Sequence, residues 1–304
     1  MAEDILSRIC RERAADAAAA KRARPASSLE RKAGAPRACF AAAAKGDAAK
    51  GGALLIAECK KASPSRGLIV RGYDPVSLAL AYERGGAAMI SVLTEPRHFL
   101  GSDEHLIAVR DAVELPVLRK DFVVDEYQLR EAWAISADAA LLIVAALEKT
   151  KLYELAYYGR ELDLSLLIET RDETEIEVAL ELADALSPRN ASSKRPPVAA
   201  SAPKAPASAS DSRPGSAAPS LAIGVNARDL RDFSVDHGRA AHLARLLAEA
   251  PFSVAESGLK RPEEASVLRA AGFRGFLVGE ALASAADPEE AARAFVAAIG
   301  EAAR

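Results

Sequence analysis

Leu54-Leu55-Ile56-Ala57-Glu58-Cys59-Lys60-Lys61 is an apolar run that ends in charge. The run reads as a short strand buried on both faces. Alternation along a strand puts Leu54, Ile56, Glu58 and Lys60 on one face. If that face lines a barrel, a carboxylate and an ammonium stand at its C-terminal rim, where catalytic groups of such barrels sit. A structural ion pair has the same signature, so this strand alone leaves both readings open.

The pattern repeats down the chain. Ala88–Leu93, Pro116–Lys120, Ala139–Val144, Leu164–Glu169, Leu221–Asn226, Phe252–Glu256 and Gly275–Gly279 are further aliphatic runs. Segments with helical spacing lie between them, among them Tyr127–Ala134, Lys149–Arg160, Asp172–Leu186, Arg239–Ala248 and Pro262–Ala271. Several open at Asp, Thr or Pro and several close at glycine, as capping requires. Eight such units predict an α/β fold, a single (β/α)8 TIM barrel. A doubly wound open sheet has the same alternation. The barrel is favoured because polar groups end runs one, three, five, six, seven and eight, and these converge only if the sheet closes.

Strand starts fall 34, 28, 23, 25, 57, 31 and 23 residues apart. The long interval, before the sixth strand, contains Ser187–Ser220, with 7 Pro, 9 Ser and Val198 as its only large aliphatic. Such a segment cannot bury enough surface to offset its ordering entropy, so a disordered insert is expected at 187–220. It follows a helix and precedes a strand, which puts it on the non-catalytic side of a barrel. A docking tether and a neutral surface expansion both fit. Residues 1–53 form an N-terminal helical extension, ahead of a barrel over 54–304. Asp4–Lys21 reads as a helix with Ile5, Leu6, Ile9 and Cys10 on one side, and Ala38–Ala44 as a second short one.

Composition narrows the function. The 304 residues are 50% hydrophobic and carry 40 Lys+Arg against 43 Asp+Glu, which excludes global disorder and gives no basic excess for nucleic acid. No apolar run reaches the roughly 18 residues a membrane span needs. Three scattered cysteines and four histidines offer neither a disulfide framework nor a zinc motif, so no metal is expected. The opening Met1-Ala2-Glu3-Asp4 lacks a secretory signal and predicts a cytoplasmic protein, with a plastid the alternative in a photosynthetic eukaryote.

The strand ends carry the chemistry. Leu118, Lys120 and Phe122 share a face, and partial desolvation beside Phe122 is expected to lower the lysine's pKa, suiting a general acid or a Schiff-base nucleophile. A plain pair with Asp121 is the simpler alternative. Glu169 ends the fifth run, Asn226-Ala227-Arg228 follows the sixth, and Glu256-Ser257-Gly258 ends the seventh. Ser257-Gly258 and Gly279-Glu280 each read as a turn before a helix whose N–H groups favour an anion, with the Ser63 hydroxyl nearby.

Seven blocks of this sequence resemble, in order, the indole-3-glycerol-phosphate synthase family of tryptophan biosynthesis. They are IAECKKASPS at 56–65, SVLTEPRHFLGS at 91–102, LPVLRKDFVVDEYQ at 115–128, ALLIVAAL at 140–147, GVNARDL at 224–230, AESGLKRPEEA at 255–265 and FLVGEAL at 276–282. The resemblance implies a TIM barrel that closes the pyrrole ring of 1-(2-carboxyphenylamino)-1-deoxyribulose 5-phosphate, with loss of carbon dioxide and water and no cofactor. It implies Lys120 as the general acid at the substrate carbonyl, Glu169 as acid/base in the dehydration and Lys60 at the substrate carboxylate. Glu58 and Asn226 would orient the reacting groups, Phe99 and Phe122 hold the anthranilate ring, and Arg228 lie near the carboxylate. Ser63, Ser257, Gly258, Gly279 and Glu280 match the phosphate and lower-pocket positions, and Leu141 and Glu256 complete the substrate-binding set. The partner implied is a small phosphorylated molecule, with other tryptophan-pathway enzymes beyond it; the chain itself is expected to be a monomer. Three departures stand out: the insert, a poorly matched alanine-rich arm, and Ser136 where the family turn before strand four has glycine.

Other assignments remain distinct in their requirements. Phosphoribosylanthranilate isomerase chemistry wants a Cys/Asp pair, where strand one offers Glu58 and Lys60. A Schiff-base aldolase would use Lys120 as nucleophile. A catalytically inactive barrel scaffold would be expected to have lost an acid or lysine, yet every matched position is filled.

Overall fold

The computed structural model describes residues 4–32, 34–40, 53–187, 220–228 and 235–301. Its eight barrel strands are β1 Leu54–Cys59, β2 Met89–Leu93, β3 Val117–Lys120, β4 Ala139–Ile143, β5 Ser165–Thr170, β6 Leu221–Asn226, β7 Ser253–Glu256 and β8 Gly275–Val278. They pair in parallel in sequence order, and β1 closes the sheet by pairing with both β2 and β8. Ile56 lies opposite Met89 on one side and Leu277 on the other, so the open-sheet alternative is excluded. The insert interior, 188–219, lies outside the described residues.

Alternation sorts the strand residues as the pleat demands. Leu54, Ile56, Leu118, Leu141, Leu167, Val254 and Leu277 fill the barrel interior, while Leu55, Ala57, Val92, Ile168 and Val278 pack outward against the helices. Those helices are α1 Ile5–Ala23, α2 Pro75–Arg84, α3 Asp103–Ala112, α4 Glu126–Ala134, α5 Lys149–Glu161, α6 Glu173–Ala185, α7 His237–Leu243, α8 Pro262–Ala270, α9 Glu280–Ala283 and α10 Pro288–Glu301. Asp4, Asp74, Ser102, Asp125, Asp172 and Asp236 cap α1 to α4, α6 and α7 by accepting N–H bonds two or three residues ahead.

The base of the barrel is plugged by the chain ahead of β1. Phe40 is buried there, its ring 6.4 Å from that of Phe252. The helix expected over Ala38–Ala44 is absent from its described part: Ala38–Phe40 is irregular, and 41–44 lie outside the described residues. Phe40 has φ 43°, and the Ser220 hydroxyl donates to the Cys39 carbonyl, so tertiary contacts replace the helix that alanine propensity favours. Ser136 also lies in the left-handed region, at φ 68°, where an L side chain is strained. The Arg110 Nε–H donates to its carbonyl at 3.1 Å and helps hold that turn.

Candidate active site

All of the charged strand ends meet at the C-terminal mouth. Glu58 projects from β1 and Lys60 from just after it, Lys120 from β3, Glu169 from β5, Asn226 from β6 and Glu256 from β7, into one cavity that opens to solvent. The same cavity is lined by Ser63, Phe99, Phe122, Leu141, Arg228, Ser257, Gly258, Gly279 and Glu280, so all fifteen sequence candidates come together.

Lys120 is the centre of the polar cluster. Its Nζ donates to Glu169 Oε2 at 2.9 Å and lies 3.5 Å from Glu256 Oε2. Asn226 Nδ2 donates to the other Glu169 oxygen at 2.8 Å, while the Arg228 N–H donates to Asn226 Oδ1 and sets the amide's orientation. A separate pair, Lys60 Nζ to Glu58 Oε1 at 2.5 Å, stands beside it, with the Ser91 hydroxyl donating to Glu58 Oε2.

These contacts reverse one expectation. Burial does push the Lys120 ammonium toward neutrality, but Glu169, Glu256 and Glu58 together outweigh it, so its pKa moves up rather than down. A lysine held charged is an acid and an electrostatic clamp, and a poor amine nucleophile. Nor does Lys120 pair with Asp121. That carboxylate binds Arg13 at 2.6 and 3.0 Å, Arg119 and the Thr94 hydroxyl.

The carboxyls around Lys120 are unequal. Burial raises Glu169, but Lys120 and the Asn226 bond overcome it and leave the group below its usual range. Glu256 is pushed up to about 8 by burial and by the neighbouring Glu169 charge. At neutral pH the pair therefore holds one charge and one proton. Glycines make room for this crowding. A Cβ on Gly224 would lie 1.9 Å from Glu256 Oε1, and one on Gly279 would lie 2.6 Å from Glu58 Oε1.

An apolar wall faces the cluster. The Phe99 and Phe122 rings stand 5.9 Å apart at 37°. Phe99 is held by buried Glu95, which accepts the N–H groups of Arg97, His98 and Phe99. Ile5, Leu6 and Ile9 of α1 complete the lining, so the arm packs over the mouth of the barrel. Sequence reasoning placed these three on one side of a helix without assigning them to the cavity, because nothing local says where the arm docks. Of the two turns read as helix starts, Gly279 caps α9 directly. Ser257-Gly258 does not lead straight into a helix, since α8 begins at Pro262. Instead Ser257 and Gly258 both adopt positive φ, at 66° and 79°.

The profile of the indole-3-glycerol phosphate synthase family matches residues 6–187 and 216–295. The chain belongs to that family. Among curated indole-3-glycerol phosphate synthases it is 40% identical over 288 residues to that of Laribacter hongkongensis, covering 94% of this chain and 96% of the relative. It is 38% identical over 296 residues to that of Azospirillum brasilense, covering 97% and 99%. Among solved structures, 3-hexulose-6-phosphate synthase from Salmonella typhimurium shares the fold at TM-score 0.56 and 12% identity, over 81% of this chain and 98% of that one. The stretch that the indole-3-glycerol phosphate synthase profile passes over, 188–215, falls within the Pro/Ser/Ala insert. Among the described residues no cluster of His, Cys, Asp or Glu is arranged to hold a metal, and no helix is long and apolar enough to cross a membrane.

Proposed function

We propose that this chain is a cytoplasmic carboxy-lyase of tryptophan biosynthesis that converts 1-(2-carboxyphenylamino)-1-deoxyribulose 5-phosphate to indole-3-glycerol phosphate. The observation that carries this reading is the charged Lys120 between Glu169 and Glu256, opposite the Phe99–Phe122 wall.

Ring closure joins the carbonyl carbon of the ribulose chain to the aromatic carbon that bears the carboxylate. The Lys120 ammonium gives a proton to the carbonyl oxygen as that bond forms, where negative charge would otherwise accumulate. The carboxylate then leaves as carbon dioxide, and its bonding electrons neutralise the conjugated iminium. Glu169 serves the dehydration, in which the new hydroxyl leaves as water and a proton leaves carbon. Two protons reach oxygen and one leaves carbon, and the net proton consumed balances the lost carboxylate charge.

Lys60 supplies the cation for the substrate carboxylate, which competes with Glu58 for it, and Arg228 lines the same cavity. Asn226 fixes Glu169, while Phe99, Phe122 and Leu141 bound the aromatic ring and exclude water. Ser63, Ser257, Gly258, Gly279 and Glu280 form the corner for the phosphate.

Turnover is read as a rise in indole fluorescence. Lys120→Ala and Glu169→Gln are each expected to lose roughly a hundredfold or more in kcat, the range of general acid–base catalysis. A Lys120→Ala protein with wild-type kcat, or a borohydride-trapped lysine adduct with substrate, overturns the assignment.

A further inference from the structure

One ion pair on the cavity rim has no part in the chemistry above. Arg66 Nε lies 2.9 Å from Glu280 Oε1 and so ties the loop after β1 to the loop after β8. Arg66 sits at the tip of a small hairpin, Ala62–Ser63 against Gly67–Leu68, whose Ser63 and Ser65 hydroxyls are 3.4 Å apart. Those serines line the cavity beside Gly258, Lys260 and Gly279.

The pair is weak by construction. The Arg66 side chain is 66% exposed and that of Glu280 26%, and ion pairs so open to water contribute little to stability. It is also oddly placed. Glu280 puts a carboxylate in the corner assigned above to a phosphate dianion, where a fixed negative charge opposes the ligand unless a cation accompanies it.

We propose that Arg66 is a phosphate-binding residue that exchanges Glu280 for the substrate's phosphate, making the pair a latch that selects phosphorylated ligands. The inference rests on the assignment of this corner to the phosphate. A phosphate offers a guanidinium two parallel charge-assisted bonds and nearly two charges, so it outcompetes a single exposed carboxylate. An unphosphorylated polyol offers neither and leaves Arg66 on Glu280. Glu280 thus acts as the resident competitor that sets the affinity the ligand must exceed.

The test uses the full chain, with inorganic phosphate as the probe, bound directly by calorimetry and as a competitive inhibitor of turnover. Arg66→Gln is expected to raise the phosphate dissociation constant and the substrate KM about tenfold, as loss of a charge-assisted bond does, with kcat moving less. Glu280→Gln removes the competitor and is expected to tighten phosphate several-fold. Arg66→Gln made in the Glu280→Gln background is expected to cost at least as large a factor as in the wild type. Unchanged phosphate binding in Arg66→Gln overturns the latch. So does a loss that vanishes in the Glu280→Gln background, since Arg66 would then only shield that carboxylate. A wild-type protein that turns over substrate alongside either result leaves the functional reading standing, whereas one that neither binds phosphate nor turns over substrate overturns both.

Discussion

Glu169 and Glu256 place two carboxyls on one lysine, and the consequences differ for each. Glu256 keeps its proton in the folded chain up to about pH 8, against an ordinary value of 4.5. Between those values the native state binds more protons than the unfolded one at this position, so its contribution to stability declines as pH rises across that window. The contribution is complete below 4.5 and gone above about 8. Glu256→Gln, which has no proton to lose, is therefore expected to gain on the wild type as pH rises from 5 to 8. Denaturant unfolding at several pH values measures the difference. Parallel stability curves for the two proteins would remove the argument. The sequence exposes the identity of these residues, because each closes an apolar run with a charge. It does not expose their acidity. The sign of the Lys120 shift depends on Glu58, Glu169 and Glu256, which only barrel closure brings to it.

The elements show where local signals suffice. β6 runs over Leu221–Asn226 as the sequence predicts, and the other strands shift by a residue or so at their ends. Apolar continuity between capping residues is a local property, hence the agreement. The segment expected to be one helix over Arg239–Ala248 instead divides into α7 and a 3-10 turn over Ala244–Leu247. The arm is harder to read, since its role comes from distant partners. Arg13 of α1 makes a buried bidentate pair with Asp121, between Lys120 and Phe122, and the Phe122 N–H donates to the same carboxylate. Further along α1, Asp16 pairs with Arg97, and Glu12 meets His98, both beside Phe99. The helix thus fastens the two loops that carry the aromatic wall. Arg13→Met keeps the aliphatic length but leaves Asp121 with Arg119, the Thr94 hydroxyl and the Phe122 N–H as its remaining partners. It is expected to cost about 3 kcal/mol, the low end for one partner of a buried pair, with a raised KM from a loosened wall. A cost below about 1 kcal/mol in denaturant unfolding would show that Arg119 alone compensates.

Across the whole molecule, chemistry and tolerance to change separate by face. The C-terminal mouth collects the charged strand ends, while the opposite end carries the Phe40–Phe252 plug and the buried Asp138, which accepts from the Arg37 N–H and pairs with Arg110. The insert leaves and rejoins the chain at that opposite end. Leu186 and Ser187 follow α6, and Ser220 precedes β6, where its N–H donates to Ser165 Oγ and its hydroxyl donates to Cys39 O. Ser220 therefore belongs to the base, whereas the Pro/Ser/Ala sequence between the two serines has almost no apolar side chains with which to build a core. Loop closure penalties change slowly with length, so a shorter connection costs little if both anchors remain. Replacing 190–217 with a brief Gly/Ser linker is expected to leave kcat and KM within about twofold and stability within about 1 kcal/mol. Removing Ser220 as well deletes the bonds to Ser165 and Cys39 and is expected to cost stability without lowering kcat. The pair of deletions, measured by fluorescence turnover and by denaturant unfolding, separates a tether from a working part. A large fall in kcat on the first deletion would mean that the insert reaches around to the mouth.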